Sequence, residues 1–302
     1  MLFSLNDVSK RYGSVQALRG LTVSIEPGAT GLLGPNGAGK TTFIRCLLGL
    51  TTPNTGTGEV LGFDIRRHML DIRQAVGFMP EDECLFAGMP GVEAVAYAGT
   101  LVGMARKDAL QRSHEVLDYV GLGEARYRKS ESYSTGMKQR LKLASAIVHD
   151  PKLLILDEPT NGMDPRGREE MIELAKDLSH KKGMSLLFSS HLLPDVEAVC
   201  DHVVVMGEGR LLTQGNIGEM KGLQREAFEV KLKGPKAEFL AKLAGQGCEG
   251  VEREGKLIVT VPEGTTSELF WRVATEVGGQ IRHLRPSRGT LEEVFLRAVA
   301  EN

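Results

Sequence analysis

Cysteine is scarce in this chain, and the few cysteines that occur are widely separated. Cys46, Cys84, Cys200 and Cys248 are at least 38 residues apart and form neither a CxxC pair nor a Cys/His cluster. Disulfide frameworks and Cys/His metal sites need closer spacing, so we expect neither of them here. Reduced thiols of this kind are typical of a cytoplasmic protein.

A membrane span, a signal peptide and an excess of one charge are missing as well. No segment approaches the roughly 18 consecutive apolar residues of a membrane span. Asp7 and Lys10 lie where a signal peptide would need an apolar run. The 37 Lys and Arg residues nearly balance the 39 Asp and Glu residues, for a net charge of −2. We therefore expect no nucleic-acid partner, since the overall positive charge of such binders is lacking.

The 302 residues are 41% hydrophobic and 25% charged, which is ordinary for a globular chain of about two domains. The first two-thirds alternates short β-rich runs with helical patterns, which predicts an α/β fold with a mostly parallel sheet. The predicted core strands are Ala29–Leu33, Val76–Met79, Leu153–Leu156, Ser185–Ser189 and His202–Met206. Leu2–Val8 and Val15–Ile25 are predicted to form an antiparallel flap.

Two segments depart from this alternation. Helical patterns over Val92–Met104 and Lys107–Val120 have no strand between them, which predicts a helical subdomain at about residues 84–135. Residues 226–302 have the order β-α-β-β-α-β with a final helix, which predicts a small ferredoxin-like α+β domain. We therefore expect one domain over 1–222 and an accessory domain over 226–302.

A glycine-rich loop between a predicted strand and a predicted helix matches the pattern G-x-x-x-x-G-K-[ST]. Its residues are Gly34, Pro35, Asn36, Gly37, Ala38, Gly39, Lys40 and Thr41. Small residues allow consecutive backbone N–H groups to curl round a polyphosphate at the start of a helix. Lys40 can reach the β- and γ-phosphates, and the Thr41 hydroxyl can bind Mg²⁺. The alternative is a glycine-rich turn with a solvated lysine.

Two carboxylates directly follow the aliphatic strand Leu153–Leu156. Asp157 is predicted to bind Mg²⁺, usually through water, because Mg²⁺ keeps part of its hydration shell. Glu158 points the other way and is predicted to polarise an attacking water molecule. The alternative interpretation is a helix start, where acidic residues are favoured.

Three further segments occur in a fixed order with these two motifs. Tyr133-Ser134-Thr135-Gly136-Met137 precedes the acidic strand, Asn161-Gly162-Met163-Asp164 follows it, and His191 comes after a further strand. Together the five motifs resemble the ATP-binding subunit of an ABC transporter over roughly residues 1–222. The resemblance implies a P-loop NTPase core with an antiparallel flap and a helical subdomain, which binds ATP and Mg²⁺ and hydrolyses ATP.

The resemblance implies that Ser134 and Gly136 of the signature segment meet the γ-phosphate of ATP held by another subunit. The other three positions of this segment depart from the family's LSGGQ. Asp164 is implied as a D-loop residue. Ser134 and Asp164 are also well placed to cap helices, and capping alone is the alternative for each of them.

Lys40, Glu158 and His191 are the catalytic residues that the resemblance implies, with His191 holding the γ-phosphate. Thr42 would touch the α-phosphate.

Two more positions are interpreted through the same resemblance. Tyr12 lies where the family places an aromatic ring that stacks on adenine, although a tyrosine on an edge strand is common anyway. Glu81 replaces the usual glutamine of the Q-loop, and its carboxylate can ligate Mg²⁺ but cannot donate a hydrogen bond. A surface acid is the alternative for Glu81, since Glu81, Asp82 and Glu83 form an acidic run.

The implied active unit contains two ATP-binding subunits, by default a homodimer, and a separate transmembrane permease. The chain is therefore expected in the cytoplasm, on the inner face of the cell membrane through the permease. Cys84-Leu85-Phe86 lies where the family forms a groove for a permease helix. Glu81 and the signature resemble the branch that serves bacterial exporters of drugs, lipids, polysaccharides or ions. An importer ATPase with a ligand-sensing C-terminal domain and a soluble cluster-assembly ATPase remain alternatives.

Overall fold

The computed structural model describes residues 1–222, 227–253, 255–262, 264–287 and 291–300. The chain forms two units, the first over Met1–Asn216 together with residues 298–300 and the second over Ile217–Arg297. The predicted break between the domains, residues 223–225, lies outside the described residues. Among the helices that are described, none combines the length and the hydropathy that a membrane span requires.

The first unit is built on two sheets. Its strands are β1 Phe3–Tyr12, β2 Val15–Ile25, β3 Ala29–Leu33, β4 Thr55–Val60, β5 Phe63–Asp64, β6 Val76–Met79, β7 Leu153–Asp157, β8 Ser185–Ser189, β9 His202–Gly207 and β10 Arg210–Asn216. The larger sheet has the order β10-β9-β3-β8-β7-β6, in which only the edge strand β10 pairs antiparallel. The smaller sheet, β2-β1-β4-β5, is antiparallel. The predicted α/β fold with a mostly parallel sheet and an antiparallel flap is confirmed.

Helices connect the parallel strands. They are α1 Lys40–Leu47, α2 Met69–Ala75, α3 Gly91–Leu101, α4 Arg106–Tyr119, α5 Thr135–Ile147, α6 Pro165–Lys176 and α7 Leu193–Val199. Helices α3 and α4 occupy the segment that the sequence predicts to be helical. Helix α7 and strand β10 were not predicted, because α7 has only seven residues and β10 is half-exposed and polar along much of its length.

Burial explains why the central strands are aliphatic runs. Every residue of β3, β7 and β8 is buried, as in parallel strands that have helices on both faces. Because these strands are parallel neighbours, their carboxyl ends meet at one edge of the sheet. The loops after β3, β6, β7 and β8 therefore emerge side by side, and they carry the phosphate loop, Glu81, Glu158 and His191.

The second unit is an α+β fold. Its strands are β11 Ala227–Lys233, β12 Glu249–Arg253, β13 Lys256–Thr260 and β14 Gln280–Ser287, and its helices are α8 Ile217–Gly222, α9 Lys236–Ala244, α10 Glu268–Glu276 and α11 Leu291–Ala300. The sheet order is β12-β13-β11-β14, with antiparallel pairing throughout. Phe239, Leu257 and Phe270 are fully buried in its core. This is the β-α-β-β-α-β arrangement that the sequence predicts.

An ion network lies on the sheet of the second unit. Glu229 of β11 is nearly buried, and its two carboxylate oxygens lie 2.9 Å from Lys256 Nζ and 2.8 Å from Arg285 Nη2. Hydrogen bonds from Lys256 and Arg285 lower the pKa of Glu229 to about 2. A group whose pKa is lower in the folded chain stabilises it at neutral pH and loses this effect as the pH falls through that pKa.

We expect Glu229→Gln to lower the melting temperature at pH 7. The difference from wild type should shrink as the pH falls from about 4.5 towards about 2, because Glu229 becomes protonated over that range. Thermal unfolding of both proteins over this pH series measures the effect. The exposed Glu238 of α9 supplies the control variant Glu238→Gln. A difference that stays constant with pH would contradict the role of the Glu229 charge.

Candidate functional site

The four loops at the carboxyl edge of the larger sheet enclose one cleft of about 610 Å³. It is lined by Tyr12, Val15, Gln16, Ala17, Asn36, Gly37, Ala38, Gly39, Lys40, Thr41, Thr42, Glu81, Asp157, Glu158 and His191. Residues from both sheets therefore line the same space. The sequence did not identify Val15, Gln16 and Ala17, which enter the cleft from the start of β2 and carry no motif.

The conformation of the phosphate loop depends on its glycines. Gly37 and Gly39 have left-handed φ angles of 82° and 97°. A Cβ at Gly34 would lie 2.5 Å from the Met206 carbonyl oxygen, and one at Gly39 would lie 2.6 Å from that of Ala17. Larger side chains would not fit at these two positions. No side chain caps α1, so its first backbone N–H groups remain available to an anion.

Lys40 lies where the phosphate loop passes into α1. Its Nζ donates hydrogen bonds to the carbonyl oxygens of Gly34, at 2.6 Å, and Pro35, at 3.3 Å. Burial lowers the pKa of the Lys40 ammonium, whereas the nearby Glu158 and Asp157 carboxylates oppose this shift. A bound phosphate would offer the ammonium stronger acceptors than two carbonyl groups, because hydrogen bonds between charged partners are stronger.

The two carboxylates at the end of β7 line the cleft and are buried. Asp157 pairs in register with Ser189 of β8, and the Glu158 N–H donates to the Ser189 carbonyl oxygen at 2.9 Å. The backbone of Glu158 has a positive φ of 49°, which is unusual for a residue other than glycine. Burial raises the pKa of both carboxyl groups. The strand end thus holds two acidic side chains out of water.

His191 contacts the second of these carboxylates. Its Nδ1 lies 2.7 Å from Glu158 Oε2, and the His191 side chain is 59% exposed while that of Glu158 is 9% exposed. The hydrogen bond from His191 lowers the pKa of Glu158 and so opposes the effect of burial. An ionised glutamate can only accept, so Nδ1 donates when Glu158 is charged.

Glu81 enters the cleft from the loop after β6. Its Oε1 lies 3.4 Å from Asn161 Nδ2, and its backbone carbonyl accepts a hydrogen bond from Lys142 Nζ at 3.0 Å. Lys142 belongs to α5 and is 4% exposed, and burial lowers the pKa of its ammonium. The sequence did not identify Lys142, because a lysine in an amphipathic helix is usually solvated.

The structure places Ser134, Gly136 and Asp164 outside this cleft. Ser134 caps α5 and Asp164 caps α6, each accepting a hydrogen bond from the backbone N–H three residues on, at 3.3 Å and 3.0 Å. Both predicted caps are confirmed. A Cβ added to Gly136 would lie 3.4 Å from Met163 Cε, so the signature segment and the D-loop are neighbours.

Tyr12 lies at the rim of the cleft, and 43% of its surface is exposed. Its hydroxyl is 3.3 Å from Thr51 Oγ1, and Lys10 Nζ is 5.0 Å from the centre of its ring. The stacking of Tyr12 on adenine and the contact of Thr42 with the α-phosphate remain predictions.

Comparisons with known proteins find relatives over nearly the whole chain. The ABC transporter family model matches residues 18–161. The bacitracin transport ATP-binding protein BcrA of Bacillus licheniformis is 37% identical over 99% of this chain and 97% of its own length. The Nod factor export ATP-binding protein I of Cupriavidus metallidurans is 32% identical over 98% of this chain and 96% of its own. This chain belongs to the ABC transporter ATP-binding proteins.

A solved structure agrees with the fold of this ABC ATPase. CbiO1 from Clostridium perfringens, described as part of the ABC transporter complex cbiONQ, superimposes with a TM-score of 0.66 at 28% identity. The match covers 74% of this chain and 91% of that one. The chain is thus an ATP-binding and ATP-hydrolysing subunit, as the sequence predicts.

We expect Lys40→Ala to weaken ATP binding by about tenfold or more, since it removes a charged hydrogen-bond donor from the phosphate loop. Isothermal titration calorimetry measures the change. Arg45→Ala is the matched control, because Arg45 is exposed on the same helix. Unchanged affinity in Lys40→Ala would contradict the assignment of the phosphate loop.

We expect Glu158→Gln to bind ATP but to hydrolyse it at least about 100-fold more slowly, because an amide cannot accept the proton of the attacking water. Binding and steady-state phosphate release are measured on the same preparation. Glu169→Gln, at an exposed position of α6, is the control. Normal turnover by Glu158→Gln would show that another group acts as the base.

Proposed function

We propose that this ABC ATPase works in pairs and uses Mg²⁺-dependent ATP hydrolysis to drive export through a separate membrane permease. The observation that carries the proposal is the single cleft in which the phosphate loop meets Asp157, Glu158 and His191. Such a cleft combines a polyphosphate cradle, oxygen donors for a metal ion and a base for water.

The donors in the cleft fit Mg²⁺. The hydroxyl of Thr41 and the carboxylates of Asp157 and Glu81 are oxygen ligands of the type that Mg²⁺ prefers. A divalent cation would also favour the ionised form of the buried Asp157. No cluster of three or more His, Cys, Asp and Glu side chains forms a metal site in the described part of the chain. This suits Mg²⁺, which usually binds one or two carboxylates plus substrate phosphates. Bound there, Mg²⁺ would screen the phosphate charges.

Residues of this chain bind the phosphates, activate the attacking water and position the base. Lys40 and the loop N–H groups hold the phosphates and stabilise the charge that develops on them. Glu158 orients the attacking water and accepts its proton. His191 holds the Glu158 carboxylate through the 2.7 Å contact. Its exposed ring also lines the cleft, where it would hold the γ-phosphate.

The pairing of subunits is supported by the position of the signature segment. Ser134 is exposed at the start of α5 and does not line the cleft of its own chain. A capped helix start is a suitable partner for an anion. In a head-to-tail pair, Ser134 and Gly136 of one copy complete the phosphate site of the other, with Asp164 at the contact between them.

A separate permease has a candidate docking groove of about 320 Å³ on the first unit. Apolar side chains from the loop after β6 and from α3 line it, among them Leu85, Phe86 and Leu101. Phe86 packs edge-on against Tyr97, with 5.0 Å between the ring centres. Such a groove suits an amphipathic helix of the permease, which would hold the subunit on the inner face of the cell membrane.

The export role is supported by the relatives that match almost the full chain. These relatives are named for bacitracin transport and Nod factor export. Both matches extend through the second unit, which favours an exporter over an amino-acid importer or a cluster-assembly ATPase.

We expect Phe86→Asp to reduce retention of the permease at least about tenfold while ATP binding stays unchanged, because a charge in the groove must be desolvated on docking. The membrane protein that wild type retains from detergent extracts is first identified and then quantified with each variant. Leu110→Asp, at an exposed apolar position of α4 outside the groove, is the control. Wild-type retention by Phe86→Asp would refute docking at this groove.

A further inference from the structure

Two pairs of hydrogen-bonded side chains join the loop after β7 to the segment after β8. The first pair is Glu158 and His191, and the second is Thr160 and Asp195; we call these contacts cross-links. Asp195, in the first turn of α7, is 1% exposed. Its Oδ2 accepts a hydrogen bond from Thr160 Oγ1 at 2.9 Å, and its Oδ1 accepts two from Arg168, at 2.8 Å and 2.5 Å. Both oxygens of this carboxylate thus accept hydrogen bonds from residues of the segment that follows β7.

The two cross-links connect the same segments in parallel. Glu158 and Thr160 are two residues apart in the loop after β7, while His191 and Asp195 are four residues apart in the segment after β8. Since the His191 side chain is largely exposed, packing does little to fix its position. The hydrogen bond between Thr160 and Asp195 is buried, since Thr160 is only 4% exposed. This bond therefore fixes the position of the segment that carries the exposed His191 ring.

Arg168 extends the cross-link to the D-loop. The D-loop, Asn161-Gly162-Met163-Asp164, lies in the chain between Thr160 and Arg168, and both of these residues bond to Asp195. Its far end is fixed by the Asp164 cap, at 3.0 Å from the Gly167 nitrogen. One buried carboxylate thus anchors both ends of the loop.

We propose that Asp195 is a positioning residue for ATP hydrolysis, which acts through Thr160 and Arg168 to hold Glu158, His191 and the D-loop in one arrangement. This inference rests on the roles proposed for Glu158 and His191. A merely structural ion pair would lower stability or the amount of active protein without changing the rate per active site. A positioning network changes that rate and acts through His191.

Thr160→Val tests the inference, because it removes one hydroxyl and keeps the side-chain shape. We expect the kcat for ATP per nucleotide-binding site to fall about tenfold, as for one buried hydrogen bond, with the KM within about twofold of wild type. Thr160→Ser, which restores a hydroxyl, should recover most of the rate. Thr275→Val is the control, because it removes a hydroxyl bond from α10 of the second unit. Asp195→Asn is expected to lower kcat as Thr160→Val does. Its kcat is measured on protein that a melting curve shows to be folded.

The decisive measurement is a double-mutant cycle with His191→Ala. If Thr160 acts through the His191–Glu158 contact, Thr160→Val should have little further effect in the His191→Ala background. An equal loss in both backgrounds, or an unchanged kcat in Thr160→Val, would overturn the inference while leaving the proposed function intact. A wild-type protein that does not hydrolyse ATP would overturn both.

Discussion

Charge of both signs, buried or half-buried, is the constraint on which this site depends. Asp157 and Glu158 are held out of water at the end of β7, and burial raises the pKa of each. Lys40 is half-buried, and burial lowers the pKa of its ammonium. Each of these charges is tolerable because a charge of opposite sign lies nearby, since an isolated ion in a protein interior is very costly. The phosphate loop and the acidic strand end are therefore one electrostatic unit.

The sheet topology brings these charges together from distant parts of the chain. The order β3-β8-β7-β6 places the loops of Lys40, His191, Glu158 and Glu81 side by side, although more than 150 residues separate the first from the second. Parallel pairing makes this possible, because all four strands point the same way.

Much of the fold and of the candidate site could be predicted from the sequence. Whether a residue could be identified depended on whether its burial and its partners are visible in the nearby sequence. Lys40, Asp157 and Glu158 follow aliphatic strands, and a buried strand with a polar end is a local pattern. Lys142 and Asp195 were missed because their partners lie 61 and 35 residues away in the chain. A lysine or aspartate of a surface helix gives no local sign that it is buried. Helix α7 is also too short for a periodic signal.

The backbone of Glu158 carries a consequence of its own. A non-glycine residue at a φ of 49° is strained by about 1–3 kcal/mol, and glycine would relieve that strain. The carboxylate at this position is therefore kept at the expense of thermodynamic stability. Glycine at position 158 would remove this strain together with the catalytic base, so stability and hydrolysis place opposite demands on this residue.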